Sequence, residues 1–178
     1  MILQRFAGAA EAATALAGQV IASLRAGLAT RASASLAVPG GRTPLPLFHA
    51  LRDADLAWPR VCITLTDERR VAEDDPASNA ALVRRELLTA QAAAARFFPL
   101  FDPHVAADSA AAAAWGSLAA MPRPFDAVVL GMGDDGHFAS LFPGNAGLAA
   151  ALSPAAAPTC VAMRAPVAPT ERLSLNLA

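Results

Sequence analysis

Short blocks of consecutive apolar residues alternate along this chain with stretches whose apolar residues recur every three or four positions. The first periodic stretch covers residues 8–30, where Leu16, Val20, Ile21 and Leu24 stand at helical spacing. Ser35 to Val38 is a short apolar run and predicts a strand. It leads into Pro39-Gly40-Gly41-Arg42-Thr43-Pro44, and a helix follows with Pro44 near its first turn and Leu47, Phe48 and Leu51 facing inward. Val61 to Leu65 predicts a second strand, ending in the polar loop Thr66-Asp67-Glu68-Arg69-Arg70. A further loop holds Asp74, Asp75 and Pro76, after which Ser78 or Asn79 starts a helix carrying Leu82, Val83, Leu87 and Leu88. Arg96 to Leu100 predicts a short third strand, and 105–120 an alanine-rich helix stopped by Pro122 and Pro124. Asp126 to Leu130 is the next strand, followed by a glycine-rich turn and a short helix near Ala139 to Phe142. Thr159 to Met163 and Leu173 to Leu177 are late strands. Alternating strands and helices place the chain in the α/β class with a mainly parallel open sheet covered by helices.

Three polar turns share one property. The loops at 39–44, 66–70 and 131–137 each follow an apolar strand. In an open parallel sheet the carboxyl ends of such strands lie along one edge, where ligands bind. Residues far apart in sequence therefore converge.

Composition narrows the classes. The chain has 178 residues, enough for one domain with a real core, and a net charge of −1. It shows no basic run and no basic patch studded with aromatics, so no nucleic-acid partner is expected. No segment is read as a membrane span, and the first helix, interrupted by Glu11, Gln19 and Arg25, is read as amphipathic rather than as a signal peptide. Cys62 and Cys160 both lie in apolar strand-like runs without metal-ligand spacing; buried thiols in a reducing, cytoplasmic setting are expected. The chain does not reveal its oligomeric state.

Each turn has chemistry to offer. Gly40-Gly41-Arg42-Thr43 before a helix can cradle an anion, through freed backbone N–H groups, the positive helix start and the Thr43 hydroxyl, with Arg42 adding charge. An ordinary strand-to-helix turn has the same composition. No Gly-Lys-Ser/Thr follows, so this is not a Walker loop. In Asp67-Glu68-Arg69-Arg70, Arg69 suits bidentate contact with a phosphate or oxyanion, although a solvated salt-bridge cluster reads the same way. Gly131-Met132-Gly133-Asp134-Asp135-Gly136 matches a dinucleotide fingerprint letter by letter, but its acidic pair and the following His137 would sit where a pyrophosphate must approach. His137 is instead the candidate general base, with Asp135 or Asp67 orienting its ring. His49 and His104 read as surface or packing residues, and three scattered histidines do not make a metal site.

The motifs together resemble a known family. Gly131 to Gly144, reading Gly-Met-Gly-Asp-Asp-Gly-His-Phe-Ala-Ser-Leu-Phe-Pro-Gly, is similar to the signature of the 6-phosphogluconolactonases within the glucosamine-6-phosphate isomerase/6-phosphogluconolactonase family. Thr66-Asp67-Glu68-Arg69 with Val71, then Ser78-Asn79, resembles their second motif; Pro39 to Pro44 resembles their phosphate loop, and Arg172-Leu173-Ser174-Leu175 a later arginine-led strand. The resemblance implies a Rossmann-like fold and metal-independent, cofactor-free hydrolysis of 6-phospho-D-glucono-1,5-lactone to 6-phosphogluconate. It implies that His137 activates water, that Asp135 positions or polarises it, and that Arg69 with the loop residues Gly40, Gly41, Arg42 and Thr43 holds the phosphate, with Arg172 as a further candidate.

Some positions depart from the family pattern. Arg42 stands where serine or threonine is usual, Phe138 where threonine is usual, and Asp75 where histidine is frequent. The chain stops at Ala178 within a strand-like alternation, whereas family members continue with a further strand and helix that include a phosphate-contacting lysine. The expectation is a single sugar-phosphate-binding α/β domain over 1–178, truncated at its C-terminus. Two other readings compete. The related deaminases carry Asn-Glu-Pro where this chain has Leu141-Phe142-Pro143, and phenylalanine cannot exchange protons. Non-catalytic sugar-phosphate sensors of this fold carry an N-terminal DNA-binding segment, and a single helix fills the space before Ser35.

Overall fold

The computed structural model describes residues 2–178. Strand β1 (Ala34–Val38) lies at the centre, hydrogen-bonded in parallel to β2 (Val61–Leu65) on one side and to β5 (Ala127–Val128) on the other. Strand β4 (Arg96–Phe98) adds in parallel beyond β2, giving the order β4-β2-β1-β5. Every residue of β1 and β2 is buried, as expected of parallel strands flanked on both sides. Helix α1 (Ala9–Thr30) packs on α2 (Leu45–Arg52) and against β1 through the stripe Ala17, Val20, Leu24 and Gly27. By length and composition α1 is long and apolar enough to cross a membrane, which corrects the expectation that no segment is.

A second sheet modifies the simple parallel picture. Strand β3 (Asp67–Arg69) pairs antiparallel with β7 (Glu171–Leu175), which pairs antiparallel with β6 (Cys160–Arg164). Residues 66–70, expected as a loop, thus contain a strand. Its polar letters conceal it, because Asp67 and Glu68 are buried and satisfied by partners distant in sequence. The Glu68 carboxylate accepts from the backbone N–H groups of Asn79 and Ala80 at 2.8 and 2.7 Å. It thereby caps α3 (Asn79–Glu86) together with the Ser78 hydroxyl, which accepts from Ala81 N–H.

Other elements are shorter than their patterns suggest. Helix α4 (Ala110–Ser117) begins later than 105 and ends in a 3-10 turn over Leu118–Ala120. The helix expected near 139–142 is absent. Residues Phe138 and Leu141 instead close a tight turn, and α5 (Leu148–Ala151) follows it. Phe138 and Leu141 pack with Ala151 and Met163 in a small cluster separate from the main core, and this seats the turn after β5 on β6. Cys62 and Cys160 are buried and unpaired.

The edge strand β5 is held in register by a buried carboxylate. Asp126 accepts from Ser35 N–H at 2.8 Å, pairs with Arg31 at the end of α1, and donates its own N–H to Ser35 O. Gly27 leaves room for it: a Cβ there would lie 2.1 Å from Asp126 Oδ1. A Cβ on exposed Gly18 of the same helix would meet nothing within 4 Å. Gly27→Ala should therefore cost about 1–3 kcal/mol, lowering Tm by roughly 3–10 °C. Gly18→Ala should instead leave Tm unchanged or raise it through helix propensity, by up to about 1 kcal/mol. Thermal melts of both variants check this; equal shifts would contradict the role given to Gly27.

Candidate functional site

The loops after β1, β2 and β5 open onto one cleft of about 420 Å³. Gly40, Gly41 and Thr43 line one wall, Asp67, Arg69 and Asn79 the floor, and Gly131 to Gly133 with His137 the opposite wall. The N-terminal half of α1, through Ala12, Ala13 and Leu16, closes one end.

Glycine is required at two of these positions by close approach. A Cβ on Gly40 would lie 1.8 Å from Asn79 Oδ1, and one on Gly133 would lie 2.3 Å from the His137 ring. The loop and the α3 start thus interlock at Gly40 and Asn79. Asn79 Nδ2 donates to Asp67 O at 2.9 Å, tying the same junction to β3. The sequence offers Asn79 only as a motif letter; the contact that gives it a task comes from a residue 39 positions earlier.

Among the described residues the imidazole has one ionic partner. His137 Nδ1 lies 2.5 Å from Asp135 Oδ1, and Asp135 also accepts the His137 backbone N–H at 3.2 Å. These hydrogen bonds hold the Asp135 carboxyl below the ordinary carboxylate range. An ionised Asp135 accepts a hydrogen bond from Nδ1–H, and this tautomer leaves the lone pair on Nε2. The ring also packs on Phe142, centroids 4.5 Å apart and tilted by 38°. Of the two carboxylates that the sequence offered as orienters, Asp135 makes the contact. Asp67 is instead hydrogen-bonded to Ser140 Oγ at 2.6 Å.

The floor is rich in buried charge. Arg69 and Arg172 are direct cross-strand partners of β3 and β7, so their side chains share a face. Arg69 Nη1 donates to Ala77 O at 2.6 Å. Its Nε, together with Nε and Nη1 of Arg172, has no hydrogen-bond partner among the described residues. Burial, and then the Arg69 charge, pull the Arg172 pKa down. Arg172 is buried beside Arg69 and does not line the cleft. Arg42 is exposed and lies outside that lining, so the expected charge of the loop is turned away from the cleft. Phe138, next to the imidazole, faces the small apolar cluster. Among the described residues no group of three or more His, Cys, Asp or Glu is placed to hold a metal ion.

Burial raises the Asp67 pKa, against the lowering effects of the Ser140 hydrogen bond and of Arg69, Arg172 and His137. A carboxyl whose folded-state pKa lies above its unfolded value favours the fold in its protonated form. That contribution is complete below the unfolded pKa of about 4 and is lost as pH rises through the folded value. Asp67→Asn cannot ionise, and its carbonyl still accepts from Ser140. The variant should therefore gain stability relative to the wild type between about pH 4 and pH 7. Urea melts of both proteins across that range check this; a difference that moves the other way would contradict the sign.

Comparison with known proteins places this geometry in context. Residues 7–178 match the family model of glucosamine-6-phosphate isomerases/6-phosphogluconolactonase. A 6-phosphogluconolactonase of Pseudomonas aeruginosa is 46% identical over 173 residues, covering 97% of this chain and 73% of the relative. The crystal structure of a 6-phosphogluconolactonase from Shewanella baltica superposes with a TM-score of 0.89 at 43% identity, over 96% of this chain and 72% of that one. A monomeric glucosamine-6-phosphate deaminase superposes with a TM-score of 0.78 at 16% identity, a likeness of fold alone. By this family match and these identities, the chain belongs to the glucosamine-6-phosphate isomerase/6-phosphogluconolactonase family.

Proposed function

We propose that this protein hydrolyses 6-phospho-D-glucono-1,5-lactone to 6-phosphogluconate, with His137 as general base. The observation that carries the reading is the joint lining of one cleft by the Gly40–Thr43 loop, Arg69 and the Asp135-paired His137. The names of relatives at up to 46% identity agree with it. The phosphate sits against the backbone N–H groups of Gly40 and Gly41, the Thr43 hydroxyl and the Arg69 guanidinium. Arg172 supports it from beside Arg69: two guanidiniums sharing a strand face with unpartnered N–H groups call for an anion. Arg42 takes no part.

Chemistry then follows from the geometry. Water attacks the lactone carbonyl carbon while Nε2 of His137 accepts its proton. Asp135 stabilises the resulting imidazolium through Nδ1–H. The carbonyl electron pair becomes an oxyanion, and its collapse breaks the bond to the ring oxygen. The ring oxygen takes the proton back from Nε2 and leaves as a hydroxyl, and the new carboxylic acid ionises. A lactone is an activated ester, so no covalent nucleophile is needed. Phe142 against the imidazole supplies an apolar backing where a deaminase would need a carboxylate.

His137→Ala should lower the rate above spontaneous hydrolysis by about 10²–10⁴-fold and leave 6-phosphogluconate binding within about twofold. Rates of lactone opening by the two proteins check this, and equal rates would remove His137 from the mechanism. Thr43→Ala should weaken 6-phosphogluconate binding by roughly tenfold and gluconate binding far less. Calorimetry with both ligands checks this, and equal weakening would contradict a phosphate role for the loop.

A further inference from the structure

The turn that carries His137 is fastened to the second sheet through one residue. Ser140 follows His137 by three positions and is 1% exposed. Its hydroxyl donates to Asp67 Oδ2 at 2.6 Å, and its backbone N–H donates to Ser174 Oγ at 3.2 Å. Asp67 and Ser174 are direct partners across β3 and β7, so both bonds land on the same rung. Ser174 is itself fully buried, and its hydroxyl donates to Leu175 O.

The link between His137 and Ser140 is under strain. Ala139 has φ +49°, in the left-handed region that a non-glycine residue keeps only where its surroundings impose it. Phe138 and Leu141 supply one anchor, by packing with Ala151 and Met163. That contact is apolar and non-directional, so it seats the turn without fixing its rotation. The turn's own hydrogen bonds, His137 O accepting from Gly133 N–H and Phe138 O from Leu141 N–H, shape it locally, and the two directional bonds of Ser140 tie it to β3 and β7.

We propose that Ser140 is a positioning residue for the lactone hydrolysis proposed above: clamped between Asp67 and Ser174, it holds the turn so that the His137 imidazole keeps its place on the cleft wall. The inference rests on that functional reading. It also assigns Asp67 to the clamp: the carboxylate holds Ser140, and Asp135 rather than Asp67 is hydrogen-bonded to the imidazole. A merely structural Ser140 would cost stability when removed and would leave the turnover of folded protein unchanged.

The experiment compares wild type, Ser140→Ala and His137→Ala in lactone hydrolysis, with turnover normalised to folded protein and 6-phosphogluconate binding measured in parallel. Ser140→Ala should lower kcat by about ten- to a hundredfold, with KM and 6-phosphogluconate affinity within about twofold, since misplacement of a catalytic group by about 1 Å has that effect. An unchanged kcat per folded molecule would overturn the proposal. Should Ser140→Ala fail to fold, Ser174→Ala removes the acceptor of the Ser140 N–H and is judged by the same criteria. The ¹⁵N signals of the His137 imidazole, assigned by their loss in His137→Ala, give a readout independent of activity. They should shift in the Ser140 or Ser174 variant, and unchanged signals would overturn the clamp. A wild type no faster than spontaneous hydrolysis would refute the functional reading instead, and the imidazole signals would still decide whether Ser140 positions His137.

Discussion

The parallel pairing of β1 with both β2 and β5 is the constraint on which the site depends. It brings three carboxyl ends to one edge, and each end delivers a different group: backbone N–H donors after β1, a guanidinium after β2 and an imidazole after β5. Only two residues of β5 pair, so their register needs outside support. Asp126 gives it, buried between Arg31, Ser35 and the space left by Gly27. A carboxylate far from the cleft thereby governs where the turn after β5 begins.

The second sheet does different work. Strand β3 carries its two carboxylates into the interior, where each is answered by a specific partner: Glu68 by the N-terminus of α3, Asp67 by Ser140. Such groups contribute little net stability, because desolvation offsets much of what the contacts return. Their directional bonds instead specify geometry: β3 joins α3 through Glu68, the glycine loop through Asn79, and the histidine turn through Asp67. The cleft floor is thus tied to the histidine wall by a hydrogen bond and to the glycine loop by the close approach of Asn79 to Gly40.

Much of this was legible in the sequence where burial and periodicity agree. The runs 34–38 and 61–65 are buried along their whole length and read directly as strands, and residues 9–30 show a clear helical stripe. Legibility failed where long-range partners override local pattern. Residues 67–69 look like a solvated charge cluster, yet form a strand because Ser140, Asn79 and Ala80 satisfy them. The turn at 138–142 looks like a short helix, yet Ala139 is left-handed and Ser140 is held by β3 and β7. That Gly40, Gly41, Thr43, Arg69 and His137 converge on one cleft was legible from their position at strand ends. Arg42 lies outside that lining, and a loop letter does not state which way its side chain turns. Nothing local could have linked Ser140 to Asp67, 73 residues earlier.

The central claim is spatial: one ligand must reach the glycine loop and the imidazole at once. A crystal structure with 6-phosphogluconate bound tests it most directly. The phosphate is expected within hydrogen-bond distance of the Gly41 N–H, the Thr43 hydroxyl and the Arg69 guanidinium, with the carboxylate carbon beside Nε2 of His137. A phosphate held elsewhere, or a carboxylate out of reach of the imidazole, would contradict it.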